Sequence, residues 1–193
     1  MLGKLTKLTY LNLGRNWFDD EGVEALAPEL GKLTGLTSLI LRKNTWREPR
    51  EDEEEKSEDE EKESTAHWAP VLGKLTELRY LDLGVNYIND AGAVVLAPEL
   101  GKLTKLTYLD LGWNAFKDGG AAALAPELGK LTELTSLDLA SNSFSNEGAA
   151  FLAPHLVKLK SLNRLKLKKQ RFPGRCPLPH LEEGGASEVV RQT

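Results

Sequence analysis

The sequence predicts an α/β solenoid, a curved stack in which every unit supplies one strand and one helix. Three observations support this. A line of nine residues recurs, and its leading leucines are 28 residues apart, with one step of 42. Within each line, leucines alternate with other residues as in a half-buried strand. After each line, apolar residues follow the spacing of a helix. Repeats of this length fix the architecture of a chain.

The repeated line is clearest at Leu106–Asn114, which reads Leu-Thr-Tyr-Leu-Asp-Leu-Gly-Trp-Asn. Asparagine closes every copy except the last, which ends in glutamine. The other copies are Leu8–Asn16, Leu36–Asn44, Leu78–Asn86, Leu134–Asn142 and, with weaker similarity, Leu162–Gln170. The chain therefore contains five units and a partial sixth.

The first unit shows how one copy folds. Leu11 and Leu13 flank a polar residue, which predicts a strand, and the chain turns at Asn16. Asp20 stands where the N-cap of a helix is expected. Gly31 is a helix stop signal. Between them, one helical face carries Val23, Leu26, Ala27 and Leu30. Each unit is therefore predicted to consist of a strand, a turn, a helix and a segment that returns to the next strand.

Repetition of this unit predicts how the units assemble. A strand–helix–strand step makes neighbouring strands parallel and the crossover right-handed. Helices are wider than the strand spacing of about 4.8 Å, so the stack curves with its strands on the concave side and its helices on the convex side.

A proline recurs late in each predicted helix. Because proline lacks a backbone donor and clashes with the preceding turn, we expect each helix to kink there or to restart with proline in its first turn. The prolines are Pro28, Pro70, Pro98, Pro126 and Pro154.

The closing asparagines are predicted to line up from unit to unit. A turn leaves backbone groups outside the strand ladder, and an amide side chain offers both a donor and an acceptor for them. The alternative is a polar ligand site. The asparagines are Asn16, Asn44, Asn86, Asn114 and Asn142.

An acidic insertion at about residues 47–63 explains the step of 42. Residues 51–63 hold ten acids and two lysines, a net charge of −8 in a chain of −4. Such a run repels itself and predicts a disordered loop or a frayed helical extension. Ser57 precedes three acids and is a candidate phosphorylation site. The alternative role of the insertion is a solvated spacer.

The predicted solenoid spans residues 1–172, and Trp68 takes a leucine position after the insertion. Residues 173–193 follow a Pro-Gly break and are expected to form an irregular tail.

Together, the Leu-x-x-Leu-x-Leu-x-x-Asn line, the period of 28 and the helix with its Leu-Ala pair resemble the leucine-rich repeats, most closely the ribonuclease-inhibitor-like class. The resemblance covers about residues 2–172. It implies a solenoid that binds proteins. It also implies two narrower roles found in the family, regulation of small GTPases and sensing in innate immunity. An uncapped N-terminal edge at Leu2, Leu5 and Leu8 predicts self-association.

Side chains that point away from the core form a face where a partner would bind. Its predicted rows are Tyr10, Ser38, Tyr80, Tyr108, Ser136 and Arg164; Asn12, Ile40, Asp82, Asp110, Asp138 and Lys166; and, where the strands end, Arg15, Lys43, Val85, Trp113, Ser141 and Lys169.

The centre of this face combines aromatic anchors with charge, as protein interfaces do. Like charges on adjacent strands destabilise each other, and a cation lying across them would lower that cost. We therefore predict a patch for a basic protein segment. The alternative is that the aspartate of Leu-Asp-Leu only keeps this strand soluble and has no role in binding. The patch residues are Tyr80, Asp82, Tyr108, Asp110, Trp113 and Asp138.

The C-terminal end is basic, and no acid occurs between Glu147 and Glu182. One interpretation is binding of nucleic acid or an anionic membrane. The other is protection of the last strand against edge pairing, or contact with the acidic insertion. The cluster is Lys158, Lys160, Arg164, Lys166, Lys168, Lys169, Arg171 and Arg175.

Nothing in the sequence indicates catalysis, a metal or a cofactor. The recurring Gly-Lys-Leu-Thr lacks the serine or threonine that a phosphate loop needs directly after lysine. His67, His155 and His180 have no metal-ligand spacing. Cys176 is the single cysteine, which fits a reducing compartment.

The sequence therefore predicts a non-catalytic, intracellular, cytoplasmic protein-binding scaffold that uses its concave face. It predicts no small-molecule substrate. The alternatives are a regulatory arm acting on a small GTPase or another enzyme, and nucleic-acid or membrane binding through the basic end.

Overall fold

The structure is a computed structural model. It describes residues 2–16, 18, 20–44 and 68–168. The predicted acidic insertion with Ser57, the tail with Cys176, and the glutamine at position 170 lie outside the described residues.

Short strands and helices alternate along the chain. A 3-10 helix covers Leu2–Lys4, and residues 68–72 are helical. The strands are β1 (Tyr10–Asn12), β2 (Ser38–Ile40), β3 (Tyr80–Asp82), β4 (Tyr108–Asp110), β5 (Ser136–Asp138) and β6 (Arg164–Lys166). The helices are α1 (Asp20–Leu30), α2 (Asp90–Leu100), α3 (Asp118–Leu128) and α4 (Asn146–Leu156).

Within the described ranges, the six strands form one parallel sheet in the order β1 to β6. The pairing joins equivalent repeat positions, so Tyr80 lies opposite Tyr108 and Asp82 opposite Asp110. The step of 42 residues leaves this register intact, because Leu39 pairs with Leu81. The predicted fold class and the first two side-chain rows are confirmed.

The core lies between the sheet and the helices and consists mainly of leucines. In the β4 repeat, Leu103, Leu106 and Leu109 are fully buried, and Leu111 is nearly so. The rings of Phe116 and Phe144 stack beneath the helices with centroids 5.9 Å apart. Each repeat thus buries its apolar face against the next repeat, and none can form a core alone.

The closing asparagines form the predicted ladder. Asn114 Oδ1 accepts the backbone N–H groups of Asn86 at 3.0 Å and Ile88 at 3.1 Å. Its Nδ2 donates to the carbonyls of Leu83 and Leu111 at 3.1 and 3.0 Å. One buried amide therefore satisfies backbone groups in its own repeat and in the preceding one.

The ladder changes at its two ends. Asn16 is exposed, and its side chain donates to the Leu13 carbonyl at 2.7 Å. Asn142 is buried and donates to Leu111 and Leu139, but its Oδ1 has no hydrogen-bond partner in the described chain. The central asparagines therefore make the most complete set of bonds.

The residue before each ladder asparagine has a left-handed backbone. The φ angles are 58° at Val85 and 57° at Trp113, a conformation that costs free energy for a residue other than glycine. The same conformation occurs at Arg15, Lys43 and Ser141. This turn directs the asparagine inward, which explains why the strain is repeated.

The helices start one position earlier than predicted. Helix α1 already contains Asp20, so Asp20 is not its N-cap. The N-cap of α2 is Asn89, whose side chain accepts the Gly92 N–H.

An aspartate in the first turn of one helix caps the following helix. Asp90 Oδ1 in α2 accepts the backbone N–H groups of Lys117 at 2.6 Å and Gly120 at 2.8 Å. Lys117, the N-cap of α3, makes no side-chain cap bond of its own. The carboxylate therefore supplies the N-terminal acceptor from the neighbouring repeat.

Of the two alternatives for the prolines, a kink or a restart, the restart is wrong in four helices. Pro28, Pro98, Pro126 and Pro154 each lie inside a continuous helix. All four are exposed and fall in the last turn, so water can hydrate the carbonyl that proline leaves without a donor.

The predicted stop at glycine is confirmed, because α1 ends at Leu30. The equivalent Gly101 has an ordinary φ of −60°, so left-handed geometry does not explain it. A Cβ built on Gly101 would overlap the carboxylate of Glu127 from the next repeat. Here glycine leaves room for that flexible side chain.

We expect Asn114→Ala to lower the free energy of unfolding by roughly 3 kcal/mol, because it leaves two buried N–H groups without their acceptor. Asn16→Ala is the control. It removes one exposed bond, so its cost should be about 1 kcal/mol or less. Urea denaturation measures both, and equal losses would contradict the ladder's role.

We expect Asp90→Ala to destabilise the protein by about 1–2 kcal/mol, because α3 loses the acceptor of its first turn. Adding Lys117→Ser supplies a local cap, since Ser145 caps α4 from the same position with a similar extended backbone. The double variant should recover part of the loss in thermal unfolding. Additive effects of the two substitutions would contradict the inter-repeat cap.

Candidate functional site

The sheet face is the side of the sheet turned away from the helices, and the candidate site residues were predicted to lie on it. Tyr80 and Tyr108 occupy paired positions on β3 and β4. Asp110 pairs with Asp82 on one side and with Asp138 on the other. Trp113 lies where the chain leaves β4, at one of the left-handed positions. The register thus brings five of the six predicted residues to adjacent positions in the middle of the sheet, with Trp113 at the exit of β4.

The two tyrosine rings stack face to face. Their centroids are 4.2 Å apart and their planes differ by 2°. Both side chains are partly exposed. Burial raises the pKa of both Tyr80 and Tyr108, and the Asp110 charge raises that of Tyr108 further, so both phenols stay neutral at neutral pH. The pair offers a preassembled aromatic surface at the centre of the face.

The three aspartates are more deeply buried than surface carboxylates usually are. Asp82, Asp110 and Asp138 are only 7%, 6% and 9% exposed. Asp110 Oδ1 accepts the N–H of Gly112, two residues further on, at 2.8 Å. Asp82 and Asp138 make the same bond to Gly84 and Ala140.

The same bond is made by Asn12, whose Oδ1 accepts the Gly14 N–H at 2.9 Å. An amide therefore suffices to fix the end of the strand. The negative charge of the three aspartates is not needed for this bond and requires a separate explanation.

The chain itself supplies cations to the aspartates. Arg42 Nη1 lies 3.1 Å from Asp110 Oδ2 and 3.7 Å from Asp82 Oδ1. Lys166 Nζ lies 2.6 Å from Asp138 Oδ2. The like charges are thus partly balanced from within, as expected for carboxylates on adjacent strands.

Burial, together with the charge of Asp82, raises the pKa of Asp110 to about 6. The Gly112 N–H and the Arg42 guanidinium act in the opposite direction. Burial also raises the pKa of Asp82. The centre of the face therefore changes charge in mildly acidic solution.

A fourth row of the sheet face was missed by the sequence analysis. It lies two residues after the aspartate row and consists of Gly14, Arg42, Gly84, Gly112, Ala140 and Lys168. An arginine in a position that is glycine or alanine in four copies was the available signal. Because its neighbour is Gly84, Arg42 can extend along the sheet to Asp110.

Other features of the described chain offer little chemistry. No group of three or more histidines, cysteines, aspartates and glutamates within the described ranges is placed to hold a metal. An apolar cavity of about 40 Å³ lies between the first two repeats, lined in part by Phe18, Leu41 and Trp68. This volume suits about one water and is too small for an organic ligand.

The two ends of the described stack carry the residues of two further predictions. Leu5 is 54% exposed at the N-terminal edge, whereas Leu2 and Leu8 pack partly against the core. At the other end, Lys158, Lys160 and Lys168 are exposed, and the rest of the basic cluster beyond Lys168 lies outside the description. No helix in the described portion is long and apolar enough to span a bilayer.

Comparison with known proteins gives one family. The family described as Leucine Rich repeat matches four segments, residues 4–27, 74–97, 102–125 and 130–153. These segments contain the repeated line and the start of the helix that follows it. No curated protein sequence matches the chain.

Two solved structures align with most of this chain. A protein from Bacteroides fragilis aligns with a TM-score of 0.50 at 20% identity and covers 86% of this chain and 43% of its own. The actin-binding site 2 of leiomodin-1 aligns with a TM-score of 0.46 at 15% identity, over 89% of this chain and 76% of its own. The chain thus spans less than half of the bacterial protein.

Asp110 should make the protein less stable as the pH rises from about 4 to about 6. Its folded pKa of about 6 lies above the ordinary 3.8, so the folded chain holds a proton that the unfolded chain has released. The stability from this proton is fully present below the unfolded pKa and is lost as the pH rises through the folded one.

We therefore expect Asp110→Asn to gain roughly 2 kcal/mol of unfolding free energy over the wild type between about pH 4 and pH 7. Urea denaturation across this range measures the difference. Parallel pH curves for the two proteins would show that Asp110 is not responsible.

Proposed function

This chain is a leucine-rich repeat protein, and on that premise we propose that it is a non-catalytic scaffold that binds a protein segment on its sheet face. We include in the proposal the ribonuclease-inhibitor-like class, which the period of 28 residues supports. An intracellular, cytoplasmic location is part of the same proposal and is supported by the single cysteine.

The observation that carries the proposal is the stacked pair of Tyr80 and Tyr108. Aromatic residues at the centre of a face are the usual energetic anchors of protein interfaces. Two rings 4.2 Å apart present a continuous surface that is only partly covered by the chain. A partner side chain that packs on them would complete their burial.

The surroundings of the tyrosines are already rigid. Both rings project from strands that are paired on each side. The ladder asparagines Asn86 and Asn114 hold the ends of those strands. Because little side-chain and backbone freedom remains to be lost, binding here has a low ordering cost.

The charges of the face favour a basic segment at its centre. Asp82, Asp110 and Asp138 lie there, while exposed Arg15 and Arg164 lie toward the two ends. A partner with a cationic and an apolar side chain close together would match the aspartates and the tyrosines. A role in regulating a GTPase would use the same surface, and a change in turnover upon binding would distinguish it.

We expect peptides selected from a displayed random library on the full chain to lose at least tenfold in affinity when both tyrosines are replaced by alanine, because their anchor surface is removed. Isothermal titration calorimetry measures the affinity.

The control is Val94→Ala on α2, which removes an apolar side chain that is 57% exposed on the helix side. It should leave the affinity unchanged. Affinity that survives the double tyrosine substitution, or that falls equally in the control, would contradict the proposal.

A further inference from the structure

Two glycines on the sheet face create slots with the same walls. The Gly84 slot lies between Asp82 and Asp110, and a Cβ built there would lie 3.2 and 3.1 Å from their Oδ1 atoms. The Gly112 slot lies between Asp110 and Asp138, at 3.1 and 3.0 Å from the corresponding atoms. Exact repetition of the backbone register produces this similarity.

The Gly84 slot holds a guanidinium. A Cβ on Gly84 would overlap Arg42 Nη1, so the slot depends on glycine having no side chain. From this position Arg42 contacts Asp110 at 3.1 Å and Asp82 at 3.7 Å. The side chain crosses from the neighbouring repeat, so it behaves as a ligand that the chain provides for its own face.

The atoms nearest to the Gly112 slot are all acceptors. The three heavy atoms nearest to a Cβ on Gly112 are Asp138 Oδ1, Asp110 Oδ1 and the Ala140 carbonyl oxygen at 3.3 Å. Lys166 bonds the other oxygen of Asp138, Oδ2. The position equivalent to Arg42 for this slot is Gly84, which has no side chain to extend into it.

The charge balance of the cluster points in the same direction. Three aspartates face two cations, Arg42 and Lys166, in the ion pairs of this cluster. Among the described residues the cluster therefore keeps a net charge of −1, although each of the three aspartates is less than 10% exposed. A third cation would remove the cost of that charge.

We infer that the Gly112 slot is a subsite for the guanidinium of an arginine side chain of the bound protein segment. The slot would bind this guanidinium as the Gly84 slot binds that of Arg42. This inference rests on the proposed function. A planar guanidinium has several donors in one plane and can meet oxygens from two aspartates at once. Tyr108, on the same strand as Asp110, places the aromatic surface beside the slot for the rest of the segment.

Protons and arginine compete for the subsite. The pKa of Asp110 is about 6, and the groups that face it are Asp82 on β3, Asp138 on β5, Arg42 after β2 and the Tyr108 hydroxyl. A bound cation favours ionised Asp110, so affinity for arginine should fall several-fold between about pH 7 and pH 5.

The test uses the full-length chain labelled with nitrogen-15 and a blocked arginine, N-acetyl-arginine methylamide, as the probe. The Gly112 and Ala140 amides bond the two walls of the slot at 2.8 and 2.9 Å, and the Gly84 amide reports on the other slot. We expect saturable shifts at Gly112 and Ala140, and smaller shifts at Gly84.

Two further probes define the ligand. Blocked citrulline has the same shape without the charge and should produce no saturable shift. Blocked lysine should bind several-fold more weakly, because an ammonium cannot span both walls as a planar fork does. Equal responses to arginine and either probe would overturn the assignment to guanidinium.

Variants of the chain test the location. Gly112→Val fills the slot and should abolish the Ala140 shift, while Asp138→Asn keeps the acceptor for Ala140 and should weaken binding at least fivefold. Arg42→Ala should make the Gly84 amide respond to blocked arginine. Circular dichroism confirms folding, and an unchanged Ala140 response in both slot variants would overturn the inference.

The two proposals can fail separately. Library peptides that depend on Tyr80 and Tyr108 but keep their affinity when arginine is replaced by citrulline would overturn the subsite and leave the scaffold proposal standing. A slot response to blocked arginine, with no peptide dependent on the tyrosines, would support the guanidinium subsite and overturn the tyrosine anchor of the scaffold proposal.

Discussion

The lateral bond between ladder asparagines is the contact on which the rest of this structure depends. Each central asparagine reaches back to the preceding repeat with both ends of its amide, as Asn114 does with Asn86 and Leu83. These bonds satisfy backbone groups that neither the sheet nor the helices can pair. They also hold successive repeats in one register, so that a residue type repeated every 28 positions becomes a row across the sheet. The leucine core supplies most of the driving force, but apolar burial is not directional and would not by itself define the register.

The register has a direct consequence for the sheet face. It places like side chains beside each other, which allows the tyrosine rings to stack but brings the like charges of the aspartates together. The penalty is limited by backbone N–H groups, by Arg42 and by Lys166, but the pKa of Asp110 remains raised to about 6. A buried, incompletely neutralised charge next to a rigid aromatic pair is expensive for stability and useful for recognition, because a cationic partner relieves the cost. We interpret the centre of the face in this way.

The repeat period predicts which residues share a row of the sheet better than it predicts local details. The rows through Tyr80, Tyr108 and the three aspartates followed from the period alone, and the register confirms them. The first-turn capping was predicted within α1, whereas the structure shows Asp90 capping the next helix through Gly120. The prolines were expected to interrupt helices that in fact run through them, because their missing bonds face water in the last turn. The capping error arose because local rules assume that a helix end is satisfied by its own residues or by solvent, whereas here the neighbouring repeat supplies the acceptor.

The sequence by itself determined the architecture, the alignment of repeats and the residue types on each face. It could do so because a repeat that buries its leucines only against its own copies has one way to stack. The tertiary structure alone decided which charges meet. Arg42 lies 68 positions from Asp110, and its side chain could have extended into solvent or toward either neighbouring strand. The absence of a side chain at Gly84 and the attraction of two buried carboxylates selected the direction of the Arg42 side chain. Neither effect can be predicted from Arg42 and its sequence neighbours.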